Sequence, residues 1–96
     1  MKRIFKYTLE VAEEQVINLP FGFKILSIQV QAGKPCIWVL IDDAHDGTEE
    51  VYFYTIGTGH SADLMPNNFV GTYQYGPLVF HVFYRNGQQS NPIPRR

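Results

Sequence analysis

The segment Gly57-Thr58-Gly59-His60 carries the densest set of groups able to hold an anion. Two glycines let successive backbone N–H groups converge into a nest. Thr58 adds a hydroxyl donor, and His60 adds an imidazole that can donate or take up a proton. The lysine and spacing of a P-loop are absent. A glycine-rich turn leaving a strand is the plain reading of the same four residues. Ser27, Gln29 and Gln31 form a second group, alternating so that they share one face of a strand. Their polar ends either read base edges by hydrogen bonds or solvate the outside of a sheet. Trp38, Tyr7, Tyr52, Tyr54, Tyr73 and Tyr75 offer rings for base stacking, worth ~1–3 kcal/mol per base. Most aromatics of a small β domain serve instead in the core or an interface. Lys2, Arg3, Lys6, Lys24, Lys34 and Arg85 can offset a few phosphates. That is enough for a small anionic ligand and too little for a long polymer.

Other chemistries find less support. Asp42-Asp43-Ala44-His45-Asp46-Gly47 invites a calcium loop, but position three is Ala44 and position twelve is Phe53. The segment reads as a solvated hairpin loop whose acids keep a sheet edge soluble. His45, His60 and His81 show no close metal-ligand spacing, so no metal and no cofactor is expected. His81, between Phe80 and Val82, reads as a hydrogen-bonded part of the core or an interface. No Gly-x-Ser-x-Gly elbow surrounds Ser27, Ser61 or Ser90. Cys36 alternates with Trp38 and Leu40, and burial would make its thiol inert. An enzyme would need His60 or His81 as general base beside a carboxylate, and Asp63 is the only acid close in sequence.

The elements that must position these groups belong to one short domain. The chain has 96 residues, 8 Lys+Arg and 9 Asp+Glu, for a net charge of −1. With 45% hydrophobic residues and so small a net charge, disorder is excluded. The balance also excludes a nucleic-acid coating protein, which needs surplus cations. One cysteine rules out an internal disulfide and a cysteine-rich zinc site. The longest apolar run, residues 37–41, is far short of the ~20 needed to span a membrane. No signal-peptide stretch follows Lys2 and Arg3, so the expected location is cytoplasmic, the host bacterial cytoplasm if phage-encoded.

Period-two alternation dominates and predicts an all-β fold, a small antiparallel sandwich or barrel of about seven short strands. The strands fall at residues 4–11, 15–19, 24–31, 36–41, 51–56, 69–75 and 78–84. Phe5, Tyr7, Leu9 and Val11 are expected on one face of the first, and Leu26, Ile28 and Val30 on one face of the third. Ala32-Gly33 reads as a two-residue hairpin turn. Residues 36–41 are apolar on both faces and are placed centrally. Leu64 and Met65 are placed on a short turn of helix. Residues 1–85 form the single domain, and 86–96 are read as a flexible tail.

Seven segments together resemble a family of short phage and bacterial proteins. They are Phe5-Lys6-Tyr7-Thr8-Leu9, Ile17-Asn18-Leu19-Pro20, residues 24–31, Trp38-Val39-Leu40-Ile41-Asp42, Gly57-Thr58-Gly59-His60, Phe69-Val70-Gly71-Thr72 and residues 78–83. In this order they cover nearly all of residues 3–84. The chain is similar in this respect to the tetrameric anti-CBASS sponge proteins of phages. The resemblance implies immune evasion by sequestering a cyclic di- or trinucleotide without catalysis, in pockets where subunits of a homo-oligomer meet. It assigns no contact residue. From their chemistry, Gly57, Thr58, Gly59 and His60 would donate to a phosphate, and Lys6 or Lys34 would supply countercharge. Gln29 and Gln31 would read base edges, while Trp38 or Tyr7 would stack. The second reading is a structural or accessory phage protein, an oligomeric protein-interaction module that uses the same aromatics and amides as interface.

Overall fold

The computed structural model describes residues 1–44 and 46–87. His45 and residues 88–96, nearly all of the expected tail, lie outside the described residues. Seven strands follow in chain order: β1 (Lys2–Thr8), β2 (Glu14–Pro20), β3 (Lys24–Gln31), β4 (Lys34–Asp42), β5 (Thr48–Gly57), β6 (Asn68–Tyr75) and β7 (Leu78–Asn86). They make two sheets, three-stranded β1-β4-β3 and four-stranded β2-β5-β7-β6, with every pair antiparallel. The envelope measures 41 × 35 × 16 Å. Its thin dimension has room for two sheets ~10 Å apart and for no third layer. The architecture is thus the sandwich form of the expected all-β class.

Alternation divides each strand between the layers. Ile37, Val39 and Ile41 of β4 are buried inward, as are Val51 and Phe53 of β5 and Val82 of β7. Leu9, Leu19, Ile28 and Tyr73 complete the fully buried cluster. The β3–β4 turn has positive φ at both Ala32 (53°) and Gly33 (78°). That is the primed geometry whose twist matches the flanking strands. It fixes the register Gln31 opposite Lys34, and with it the face of every later residue of β4.

Three expectations need correction. β1 ends at Thr8 rather than continuing to Val11. Leu9 still donates to the Pro35 carbonyl, and the chain then turns away, leaving Val11 exposed. In β3 the pairing register shifts between Ile25 and Ser27, so Leu26 is an extra residue opposite no partner. Ile25 therefore turns inward with Ile28 and Val30, while Leu26 leaves their shared face and stays exposed; Val30 keeps that face near the end of the strand and is only partly covered. Leu64 and Met65 lie in a turn closed by Met65 N–H to the Ala62 carbonyl, and the described residues contain no helix.

The two sheets meet closely where β6 passes β3. A Cβ on Gly71 would lie 2.6 Å from Ile28 Cγ2, so glycine at this position leaves the room that the Ile28 side chain fills. β5 and β6 are both antiparallel to β7, and hence parallel to each other. Residues 58–67 must therefore cross β7 on one of its faces.

Candidate functional site

The outer face of the three-stranded sheet gathers half of the predicted ligand residues. Along β4 the outward positions are Lys34, Cys36, Trp38, Leu40 and Asp42, opposite in parity to the buried Ile37, Val39 and Ile41. Opposite them on β1 stand Thr8, Lys6, Ile4 and Lys2. On β3 stand Gln31 beside Lys34, Gln29 beside Cys36, Ser27 beside Trp38 and Lys24 beside Leu40. Lys2, Lys6, Lys24 and Lys34 are all the lysines of the chain. All four thus lie on one face of one sheet, where Asp42 at the rim is the only carboxylate among the described residues.

The bulge at Leu26 makes this so. Without the extra residue, strict alternation would put Lys24 on the opposite face from Ser27, Gln29 and Gln31. With it, Lys24 joins them. Sequence patterning recorded Lys24 and Lys2 as countercharge but could not assign them to this face. A bulge has no marker in residue type here, and Lys2 reaches the face only through the β1–β4 register.

The face is polar, cationic and half-open. Lys6 Nζ donates to Gln31 Oε1 at 2.6 Å, spanning the sheet diagonally from β1 to β3 across β4. Among the described residues no carboxylate pairs with any of the four lysines; the ion pairs all gather at the start of β1. There Arg3 Nε lies 2.6 Å from Asp43 Oδ2, and the N-terminal ammonium bridges Asp42 and Asp43. The Arg3 guanidinium, and after it the ammonium, hold the Asp43 carboxyl below its usual range. Cys36 is buried, its sulfur near Thr8 Oγ1 and the Lys34 carbonyl. Tyr7 is not on this face: it stands opposite Ile37 and packs half-buried against the core.

Gly57, Thr58, Gly59 and His60 lie in the other sheet, at the end of β5 and in the turn that follows. Several of their groups have internal partners. Thr58 N–H donates to the Val79 carbonyl, and His60 N–H donates to the Gly57 carbonyl. Thr58 Oγ1 lies 2.7 Å from His81 Nε2, and Thr72 Oγ1 lies 2.9 Å from His81 Nδ1. Gly59, at φ 92°, supplies the turn's left-handed residue. The Thr58 and His60 amides are thus held within a closed turn. The sequence-level reading of His81 as a hydrogen-bonded imidazole holds, and its partner Thr58 was out of reach of local spacing, being 23 residues away.

Because His81 alternates with buried Val82, its bond to Thr58 starts the 58–67 crossing on the outer side of the four-stranded sheet. That outer side is aromatic. Arg85 lies over the Tyr52 ring at 4.2 Å and its Nε donates to Tyr54 Oη at 2.9 Å. Phe69 and Phe83 pack at 5.2 Å, and Phe69 remains 56% exposed. On the inner side, Tyr73 Oη is buried without a hydrogen-bond partner, and desolvation pushes its phenol above the ordinary value.

No group of three or more metal-ligating side chains occurs among the described residues. No helix among them is long and apolar enough to cross a membrane. The family model for a domain of unknown function, DUF7352, matches residues 1–92, and the chain belongs to that family. Neither a curated protein nor a solved structure matches the chain.

Proposed function

We propose that this DUF7352 protein binds a small polyanionic ligand on the outer face of its three-stranded sheet and holds it without turnover. The ligand class that fits is a cyclic di- or trinucleotide. The observation that carries the reading is the collection of all four lysines on that face, together with Ser27, Gln29, Gln31 and Trp38. Phosphates suit the ammonium groups of Lys6, Lys24 and Lys34. The amides of Gln29 and Gln31 offer both donor and acceptor to a base edge, and the Trp38 indole offers a stacking surface. Sequestration acts by mass action, so it needs affinity and abundance rather than catalytic groups. In this reading the protein is a phage-type immune-evasion factor of the bacterial cytoplasm, as the sequence resemblance implies.

The test is thermal melting and calorimetry with a panel of cyclic di- and trinucleotides. A ligand at a hundred times its dissociation constant should stabilise the fold by ~2.7 kcal/mol. At ~4–8 °C per kcal/mol, that is a large rise in melting temperature. Release of the intact nucleotide on heat denaturation would establish binding without turnover. No shift with any member of the panel would remove the nucleotide reading.

A second reading has its own observation. Phe69, Val16 and the Arg85–Tyr52 stack lie on the outer face of the four-stranded sheet. Exposed aromatics with arginine are the composition of a protein interface. A stable assembly that ignores every nucleotide would favour a structural or accessory interaction module.

A further inference from the structure

The free edges of the two sheets differ in how well they specify a partner. Of the four end strands, β3 and β6 lie against each other, and β1 and β2 are left as open edges among the described residues. On β1, Leu9 N–H donates to the Pro35 carbonyl and the Met1 carbonyl accepts from Asp43 N–H. The register is unbroken between them, so the odd residues of β1 face β4. The N–H and C=O groups of Lys2, Ile4, Lys6 and Thr8 therefore point away from the sheet, along a strand exposed at every residue but Tyr7. Phe5 is 45% exposed on the inward-facing side, beside buried Val39.

We propose that β1 pairs with β1 of a second copy of this chain, antiparallel about a two-fold axis at Phe5, to make a continuous six-stranded sheet. Length and charge together select this register; a Tyr7-centred pairing also avoids like charges but joins only residues 6–8 of the strand. Outward-pointing groups can bond only when even residues oppose even residues. Centring the axis on Ile4 would put Lys2 opposite the partner's Lys6. Centring it on Lys6 would put that lysine opposite itself. Like charges directly opposed are destabilising. Centring on Phe5 opposes Lys2 to Thr8, Arg3 to Tyr7 and Ile4 to Lys6, with no like pair. Phe5 then meets its own copy at a non-hydrogen-bonded position, where Cα atoms come within ~4.5 Å and side chains pack best. Even parity also keeps both inward faces on the same side of the joined sheet. The β2 edge has no such selectivity: only Glu14 is charged, and Pro20 lacks a donor.

The pairing stands independently of what the lysine face binds, although it would set two such faces side by side. Sedimentation across a concentration series tests it, with a thermal melt of each variant to verify folding. Wild type should be a dimer that dissociates on dilution. Ile4→Pro removes an outward donor that β4 does not use, twice over across the axis. It should raise the dissociation constant at least ~tenfold. Phe5→Lys opposes two like charges on the axis and should give a monomer. Val16→Pro, the matching change on β2, should leave the dimer intact. A wild type that stays monomeric at all concentrations overturns the proposal. So does a dimer that Ile4→Pro and Phe5→Lys leave unchanged, or one that Val16→Pro disrupts.

Discussion

The outer faces of the two sheets are built from opposite materials. The three-stranded face carries four lysines, two glutamines and a serine around a tryptophan, with one hydrogen bond, Lys6 to Gln31, crossing it. The four-stranded face carries Tyr52, Tyr54, Phe69 and Phe83, and its arginine and histidine are held by neighbours on the same face. Arg85 is held by two tyrosines, and His81 has a threonine hydroxyl at each ring nitrogen. A face whose polar groups are satisfied offers shape and apolar area to a partner. A face with unpaired cations offers charge, and its binding depends on salt. On the proposed reading an anion sits on the first face, and the Gly57-to-His60 turn serves the fold.

Four changes should break or sharpen this contrast. The largest effect is expected where the layers join. Gly71→Val drives a side chain into Ile28, whose Cγ2 would already be 2.6 Å from a Cβ there. Overpacking of this kind costs about 1–3 kcal/mol and should lower the melting temperature by roughly 4–8 °C per kcal/mol, degrading both faces together. Next comes the charge of the lysine face. The double variant Lys6→Glu with Lys34→Glu should weaken nucleotide binding at least ~tenfold in calorimetry, a cost of ~1.4 kcal/mol. Its melting temperature should stay near wild type, because both side chains are exposed. Arg85→Ala should do the reverse. It removes a ring stack and the bond to the Tyr54 hydroxyl, lowering stability by about 1 kcal/mol in denaturant titration and leaving nucleotide affinity unchanged.

The smallest effect concerns acid. Arg3 holds the Asp43 carboxyl below its ordinary value of ~3.9. A carboxyl depressed in the folded state stabilises the fold at pH above that ordinary value. The contribution fades as pH falls through the lower folded value. Asp43→Asn should therefore flatten the low-pH limb of a stability–pH curve and change little at neutral pH.

Strand positions were legible in the sequence because alternation is local. Ala32-Gly33 announced its turn, and the doubly apolar stretch 36–41 announced the centre of a sheet. Facing was legible only where strands are regular. The Leu26 bulge moved Lys24 to the outer face with the other lysines and Ile25 to the core, and residue type does not mark such an insertion. The candidate site was half legible. Lys6, Gln29, Gln31, Lys34 and Trp38, named for their chemistry, do share a face. Tyr7 falls on the inner side because its neighbour Lys6 falls on the outer. The Gly57-to-His60 turn lies in the other sheet, since strand order is set by pairings between distant segments.

The most direct test is a ¹H–¹⁵N NMR titration of the protein with the cyclic di- and trinucleotide panel. The account predicts perturbations of the Lys6, Ser27, Gln29, Gln31 and Lys34 amides and of the Trp38 indole N–H, with residues 57–60 and the amides around Arg85 unmoved. Perturbations centred on Thr58, His60 and His81, or none with any nucleotide, would contradict it.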